Sequence, residues 1–500
     1  MPLLSCHCVL VVRIISMKTK IKFCGGTRTV TGSMHLLTTD QSQIVIDCGL
    51  FQGKRQDFYA VNNNFAFYPP KIDAMVLSHA HIDHSGNIPN LVKHGLKSPI
   101  YATSATVDLC DLMLPDSGHI QEEDVKFVNK IHQRKGLAPR EPLYTEQDAR
   151  DCLEYFRAME YRKPVEITQD IRCTFYDAGH VLGSAINVLD ISTEGGSASG
   201  TRLPLGDCIR QNNDNKIRLA YAVDLGRNHL PLLKNPEVPE NIDYLIIEST
   251  YGDRLHDPIE TAKNKLAETI NRTFKRGGKV IIPSFAFERT QEIVYFLNQL
   301  SIKGTIPLMP IYVDSPLATN ITMVFQENIQ YLDESTQNMM RKQLDPFGFN
   351  RIKYIRTSEE SQKLNYDKQP MIIISASGMC EAGRILHHLR NNIEDPNNTI
   401  LIVGYMAENT LGKKIVDRQP VVKIFGEEYN LRAEVVKINA FSAHADKEEL
   451  YNFIRKCNTR LKKIFVVHGD IEQAEPFTNW LKESGLPAYL PDKNEEVSIG

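Results

Sequence analysis

Residues 79–84 read His-Ala-His-Ile-Asp-His, four metal-capable side chains in six positions. In an extended segment the two-residue period aims His79 and His81 to the same side, and Asp83 and His84 turn toward a second position. Imidazole nitrogen with carboxylate oxygen suits zinc or a similar borderline ion. A surface histidine cluster or simple cap chemistry is the bland alternative, and the setting argues against it. The cluster follows the apolar run AMVLS and precedes Gly86 and an amphipathic stretch, and mouths between strand and helix are where α/β sites sit. Two ions about 3.5–4 Å apart can lower the pKa of a shared water toward neutrality, so the expected chemistry is metal-assisted hydrolysis.

The elements that must position this cluster divide the chain by texture. With 500 residues it exceeds one ordinary core, and two or three lobes are expected. Hydrophobic residues at 42% and charged residues at 24% are a globular balance, and no apolar run is long enough to cross a bilayer. A net charge of −3 excludes a generally basic nucleic-acid coat, though not a locally basic groove. The ten cysteines form no CxxC pair and read as scattered reduced thiols of a cytoplasmic protein. Residues 1–16 lack a basic start and a cleavage site and read as a non-structural extension. Residues 17–254 carry short strands with helices between them, including helices over 119–168, and predict two sheets sandwiched by helices. The Gly-, Ser- and Asn-rich stretch 194–216 reads as an exposed insertion. From 255 to 398 strand and helix alternate, the pattern of a parallel sheet inserted as a second lobe. Short strands from 399 to 500 are expected to rejoin the first lobe.

Through HAHIDH the chain resembles the metallo-β-lactamase superfamily. Its length, with ESTYGD at 248–253, FSAHAD at 441–446 and VVHGD at 466–470, narrows the resemblance to the β-CASP nucleases. PSFAFERTQE, SASGMCEAGRILHHL and GYMAENTLG follow the same style, and the likeness runs from about Lys18 to the C-terminus. The nearest likeness is to prokaryotic proteins similar to the endonuclease of mRNA 3′-end processing. The resemblance implies an α/β fold, an αββα sandwich with an inserted β-CASP lobe. It implies one ion on His79, His81, His180 and Asp224, and a second on Asp83, His84, His468 and Asp224, with Asp224 as the bridge. Asp47, in IVIDCG, is expected to orient ligands from behind. The ions are expected to be two Zn2+, with Mn2+ as the alternative.

For the reaction, Asp83, His444 and Glu248 are the expected catalytic residues, with His444 as proton donor to the leaving oxygen and Glu248 as its orienter. Arg289, Ser442 and the backbone amides of Ser377, Gly378 and Met379 are candidate phosphate donors. A cleft between the lobes would admit a single strand. Within the resembled family a histidine at the last motif goes with RNA, so His468 favours RNA over DNA. The expected protein is an endoribonuclease acting on single-stranded RNA, without a membrane partner, and long, processive binding would need a homodimer or another partner. A small-molecule hydrolase on the same metals and a non-catalytic RNA-binding scaffold are the rivals. Three positions depart from the family pattern: Val223, where relatives usually have Gly, and Met406 and Asn409, where Gln and Gly are commoner. If that last glycine served a positive φ, Asn is the next most tolerant residue.

Overall fold

The structure, a computed structural model, describes residues 19–193, 216–457 and 461–500 apart from positions 54, 405, 408 and 440. The expected extension at 1–16 and most of the 194–216 insertion lie outside these residues.

Two seven-stranded sheets form the first lobe. One runs, in spatial order, Glu496–Ile499, Thr19–Gly25, Met34–Thr38, Gln43–Ile46, Ala74–Val76, Ile100–Thr103 and Phe156–Met159. The other runs Ala488–Tyr489, Lys463–Val466, Tyr244–Ile247, Lys216–Ala222, Ala185–Ser192, Ile171–Asp177 and Val165–Glu166. Their facing sides share one apolar layer that includes Ile21, Phe23, Ile46, Phe175, Leu219 and Phe465. Helices Ser104–Arg134 and Ile88–Lys93 cover the outer face of the first sheet through Leu91, Leu109 and Leu114. Helices Lys447–Cys457 and Ile471–Glu483 cover the second through Phe453, Ile454, Phe477 and Leu481. This is the expected αββα sandwich.

The inserted lobe is a six-stranded, wholly parallel sheet in the order Ile352–Tyr354, Ile311–Asp314, Ile372–Ser375, Val280–Pro283, Thr399–Ile402 and Glu434–Lys437. Its central strands, VIIP and IIIS, are buried throughout, as crossover helices on both faces require.

Two expectations are corrected. Strands Thr399–Ile402 and Glu434–Lys437 extend the parallel sheet of the insertion, so the chain does not return to the first lobe at 399. The return to its sheets comes at Lys463–Val466, which pairs parallel to Tyr244–Ile247. A four-residue buried parallel strand carries no mark of which sheet it joins, and register with a distant neighbour decides it. The stretch 119–168 is also not all helical. Helix Ser104–Arg134 and helix Glu146–Cys152, which opens on a capping box at Thr145, are followed by edge strands Phe156–Met159 and Val165–Glu166. Their flanking Lys, Arg and Glu residues hide the strand signal, as edge strands commonly do.

Candidate functional site

The candidate centre lies where strand ends of both sheets meet. Strand Gln43–Ile46 ends on Asp47, held at φ 55°, and Ala74–Val76 leads into Ser78 and His79. Asp47 is fully buried and accepts four hydrogen bonds: from the Ser78 amide, the Ser78 hydroxyl and His84 Nδ1, each at 2.7 Å, and from the Tyr221 hydroxyl at 2.8 Å. Burial pushes its carboxyl up to about 7, with the bonds from Ser78 and Tyr221 pulling the other way. Because His84 gives its Nδ1 proton to Asp47, its Nε2 presents a lone pair to the centre. That nitrogen is buried with no hydrogen-bond partner among the described residues and lies 3.5 Å from Asp224 Oδ2. Ser78 serves His79 in the same way, meeting its Nδ1 at 3.0 Å, and Ser33 meets His468 Nδ1 at 2.8 Å. The turn after Asp47 packs against the ligand loop so closely that a Cβ on Gly49 would lie 1.6 Å from the Asp83 carbonyl oxygen.

The seven expected ligands come together in two adjoining groups. His79, His81, His180 and Asp224 form one, and Asp83, His84 and His468 the other. Asp224 faces both: Oδ2 is 3.5 Å from His79, His84 and His180, and Oδ1 is 3.2 Å from His468 Nε2. His81 Nδ1 stands 3.1 Å from His79 Nε2 and 3.3 Å from His180 Nε2. Burial is the largest cause holding these rings neutral, with His81 and His468 at about 3 and His79, His84 and His180 well below their ordinary value, and for His468 the neighbouring Glu248 pulls the other way. His84 Nε2 and Asp224 Oδ1 are buried and meet no hydrogen-bond partner among the described residues, which leaves their lone pairs for a cation. Burial likewise pushes Asp83 to about 6 and Asp224 well above the usual carboxylate range, against the pull of the nearby His444, because withdrawing anionic oxygens from water is costly. On both counts the donors fit divalent metal.

His444 adjoins this group, its ring 4.5 Å from that of His180 and its Nδ1 3.0 Å from Glu248 Oε2. Burial works against its charge, but Glu248 and Asp224 outweigh burial and raise it to about 10. Burial alone would raise Glu248, and the His444 imidazolium brings it below its ordinary value instead. The backbone is equally fixed. Ala445 donates to the Leu225 carbonyl at 2.8 Å, Arg227 donates to that of Ala443 at 3.2 Å, and His256 Nε2 meets the His444 carbonyl at 3.0 Å. Glu248 Oε1 accepts from the Leu225 amide at 2.5 Å, so one carboxylate ties the Asp224 loop to His444. Side-chain Nδ1 being committed, Nε2 is the nitrogen left for proton transfer on this partly exposed residue.

The candidate phosphate donors are less free than expected. Arg289 is paired with Glu292. The Ser442 hydroxyl accepts from the His444 amide at 3.4 Å, and the Ser377 amide is spent on the Ala382 carbonyl at 3.3 Å. Gly378 lies under the half-exposed ring of Phe285, and a Cβ there would meet that ring at 2.8 Å. The supports Ser33, Ser78, Tyr221 and His256 went unnoticed in the sequence, where a lone Ser or Tyr gives no signal. Phe287, whose ring stands 5.1 Å from that of His81, was flagged only as part of its motif. Of the departures, Val223 is buried between the two sheets, and Asn409 adopts φ 69°, a conformation that glycine or asparagine accepts best.

A two-sheet sandwich carrying histidine and aspartate donors at its strand ends defines a metallo-hydrolase. The chain matches the Metallo-beta-lactamase superfamily domain over residues 36–195, the Beta-Casp domain over 290–415 and the Zn-dependent metallo-hydrolase RNA specificity domain over 428–491. It is 34% identical to ribonuclease TTHA0252 of Thermus thermophilus, covering 95% of this chain and 99% of that one. It is 31% identical to an RNase J-like protein of Methanocaldococcus jannaschii, with 96% and 99% covered. With the transcription termination factor FttA of Pyrococcus abyssi it shares 31% identity over 95% of this chain and 70% of the relative. A solved structure of a protein of unknown function from Enterococcus faecalis V583 shares the fold, with a TM-score of 0.53 at 14% identity over 96% of this chain and all of the other. The chain belongs to the β-CASP nucleases of the metallo-β-lactamase superfamily. Among its described residues no helix is long and apolar enough to cross a membrane.

Proposed function

We propose that this protein is a two-metal ribonuclease that cuts single-stranded RNA internally, with His79, His81, His180 and Asp224 holding one ion and Asp83, His84, His468 and Asp224 the other. The observation that carries this reading is Asp224 lying within 3.5 Å of histidines from both groups, beside the His444–Glu248 pair. Zinc is the expected metal, on the imidazole-rich donor set, with manganese the alternative. Bound there, two ions would make a water acidic enough to attack phosphorus near neutral pH and would offset the charge building on the phosphate oxygens. Asp47, Ser78 and Ser33 hold ring nitrogens in the tautomer that faces the centre. His444, oriented by Glu248, gives its proton to the leaving oxygen. Arg289, Ser442 and the Ser377–Gly378 turn remain the candidate phosphate contacts. Arg289 would have to exchange Glu292 for phosphate. The RNA substrate follows the printed names of the relatives and the histidine at 468. A cytoplasmic setting accords with seven buried free cysteines among the described residues, and a homodimer belongs to the same reading.

The test uses labelled single-stranded RNA and DNA of one sequence, with and without chelator, beside His444→Ala. Internal cuts in RNA, lost on chelation and much reduced in the variant, are expected. DNA cleavage without RNA cleavage overturns the substrate, and undiminished cutting by His444→Ala overturns the acid. An inert protein that holds two ions would be a scaffold.

A further inference from the structure

Strands Thr19–Gly25 and Met34–Thr38 are joined by the sequence GTRTVTGS, residues 26–33. Both ends of this loop are tied to the second ligand group. The His468 amide donates to the Gly26 carbonyl at 2.7 Å, and the Ser33 amide donates to the Asp83 carbonyl at 2.9 Å. Between these ties the backbone amides from Thr27 to Gly32 donate to no acceptor among the described residues. The Thr27 hydroxyl is buried and likewise meets no partner among them. The loop turns through positive φ at Gly26, Arg28 and Gly32, and alternation of this kind points successive amides into one concavity, where they suit an anion. Backbone donors of folded proteins are nearly always used, so this run of amides raises the question of its acceptor.

The loop forms one wall of a cavity of about 620 Å³, the size of a site for a small ligand. Lys22 and Cys24 line it from the opposite face of their strand to Ile21 and Phe23, which fill the layer between the sheets. Gly49, whose backbone abuts the Asp83 carbonyl, lines it as well, so the cavity adjoins the group of Asp83, His84 and His468. Its described lining carries two ammonium groups, Lys22 and Lys493, and no carboxylate. Lys22 Nζ donates to the Ala66 carbonyl at 2.9 Å, and Lys493 Nζ stands 5.8 Å from the centre of the Phe51 ring. Neither forms an ion pair among the described residues, whereas the nearby Arg28 is taken by Asp492 at 2.9 Å. In a chain of net charge −3, this is a local concentration of positive charge beside the centre.

We propose that this cavity is a phosphate subsite for the substrate strand. Lys22, Lys493 and the Thr27–Gly32 amides take a backbone phosphate that lies beyond the scissile one on the side of Asp83 and His468. The proposal rests on the ribonuclease reading above. It places a strand contact on the first lobe, whereas Arg289 and the Ser377–Gly378 turn belong to the inserted one.

The test measures binding of a cleavage-resistant phosphorothioate single-stranded RNA by the zinc-loaded protein across a salt series. Lys22→Gln, Lys493→Gln and the double variant are compared with wild type. Lys493 is exposed and makes no hydrogen bond among the described residues, so Lys493→Gln is the variant least exposed to a folding defect. Lys20→Gln is the control: it removes the same charge from a lysine paired with Glu496 outside the cavity. Each cavity lysine should flatten the slope of log affinity against log salt by about 0.7, and the pair by about 1.4. The loss should be alike for unrelated RNA sequences, and Lys20→Gln should keep the wild-type slope. Replacing single phosphates by uncharged methylphosphonate should then reveal one position that weakens wild type but not the double variant, whose partners for it are gone. A wild-type slope in the double variant overturns the proposal, as does equal flattening in Lys20→Gln or a methylphosphonate profile shared by wild type and double variant. A wild-type protein that neither binds nor cuts RNA would instead overturn the ribonuclease reading on which the proposal rests.

Discussion

Replacing Asp47 by Asn tests the centre at a residue that is expected to touch neither metal nor substrate. Asparagine has nearly the same shape and tolerates the φ of 55° at this position, so the backbone is a fair control. What changes is hydrogen-bond polarity. Asp47 Oδ2 accepts from the Ser78 hydroxyl, His84 Nδ1 and the Tyr221 hydroxyl, and Oδ1 accepts from the Ser78 amide. An NH2 group in the Oδ1 position opposes the Ser78 amide, which cannot turn away. In the Oδ2 position it opposes two hydroxyls, which can rotate, and His84, which can answer only by moving its proton from Nδ1 to Nε2. That second outcome places a hydrogen on the nitrogen that faces Asp224. One buried donor left unsatisfied costs about 1–3 kcal/mol, so a folded but less stable protein is expected. Loss of a partner behind a ligand costs about 10–100-fold in metal affinity, and the loss should fall on the ion shared by Asp83, His84 and His468. Urea unfolding of the chelated protein and zinc titration against a chromophoric competitor read the two effects separately. Two ions bound with wild-type affinity by Asp47→Asn would refute the argument that Asp47 sets the His84 tautomer.

Four further outcomes are expected. In the chelated protein His444 is raised to about 10 from 6.5 by Glu248 and Asp224, which outweigh its burial; its contribution to stability is therefore complete below pH 6.5 and is lost as pH rises through 10. Glu248, lowered from 4.5, contributes above that pH and loses its share as pH falls through its folded value, so denaturation of His444→Asn should show a smaller decline from pH 6.5 to 10 than wild type. Gly49→Ala would place a Cβ 1.6 Å from the Asp83 carbonyl oxygen, and either a severe loss of soluble protein or a protein short of metal by elemental analysis is expected. Asp314→Asn disturbs a buried carboxylate that accepts from His388, Arg384 and Ser361 at 2.6, 2.7 and 2.5 Å. It should lower unfolding stability by about 3 kcal/mol, the scale of a broken buried pair. Removing the ions should abolish RNA cleavage and lower the melting temperature, because ligands that bind only the folded state stabilise it in proportion to their saturation.

How much of this was legible in the sequence follows from where each interaction is decided. The cluster His79–His84 could be read directly because its chemistry is local: six residues fix four donors, and the strand before them fixes their setting. His180 and Asp224 were reached through their order along the chain and their strand-end settings, and His468 through the likeness of VVHGD to the family's last motif; the fold brings all three to the same centre. The sandwich was legible in the rhythm of short strands. The boundary at 399 was not, because membership of Thr399–Ile402 in one parallel sheet or another rests on a neighbour at Val280–Pro283. The supporting residues were equally hidden. Ser33 and Tyr221 acquire meaning only when Met34–Thr38 and Lys216–Ala222, from two different sheets, bring a hydroxyl to His468 and to Asp47. PSFAFERTQE shows both limits in one segment. Its arginine drew attention as a phosphate donor, being the residue type that binds phosphate by rule, yet the fold pairs that arginine with Glu292. The glutamate beside it drew none, since a charged residue before a helix reads as an ordinary cap. Only its positive φ and the absence of a side-chain cap bond separate it from one. Side chains that act by type are visible in a sequence, and those that act by placement become visible when the backbone that aims them is known.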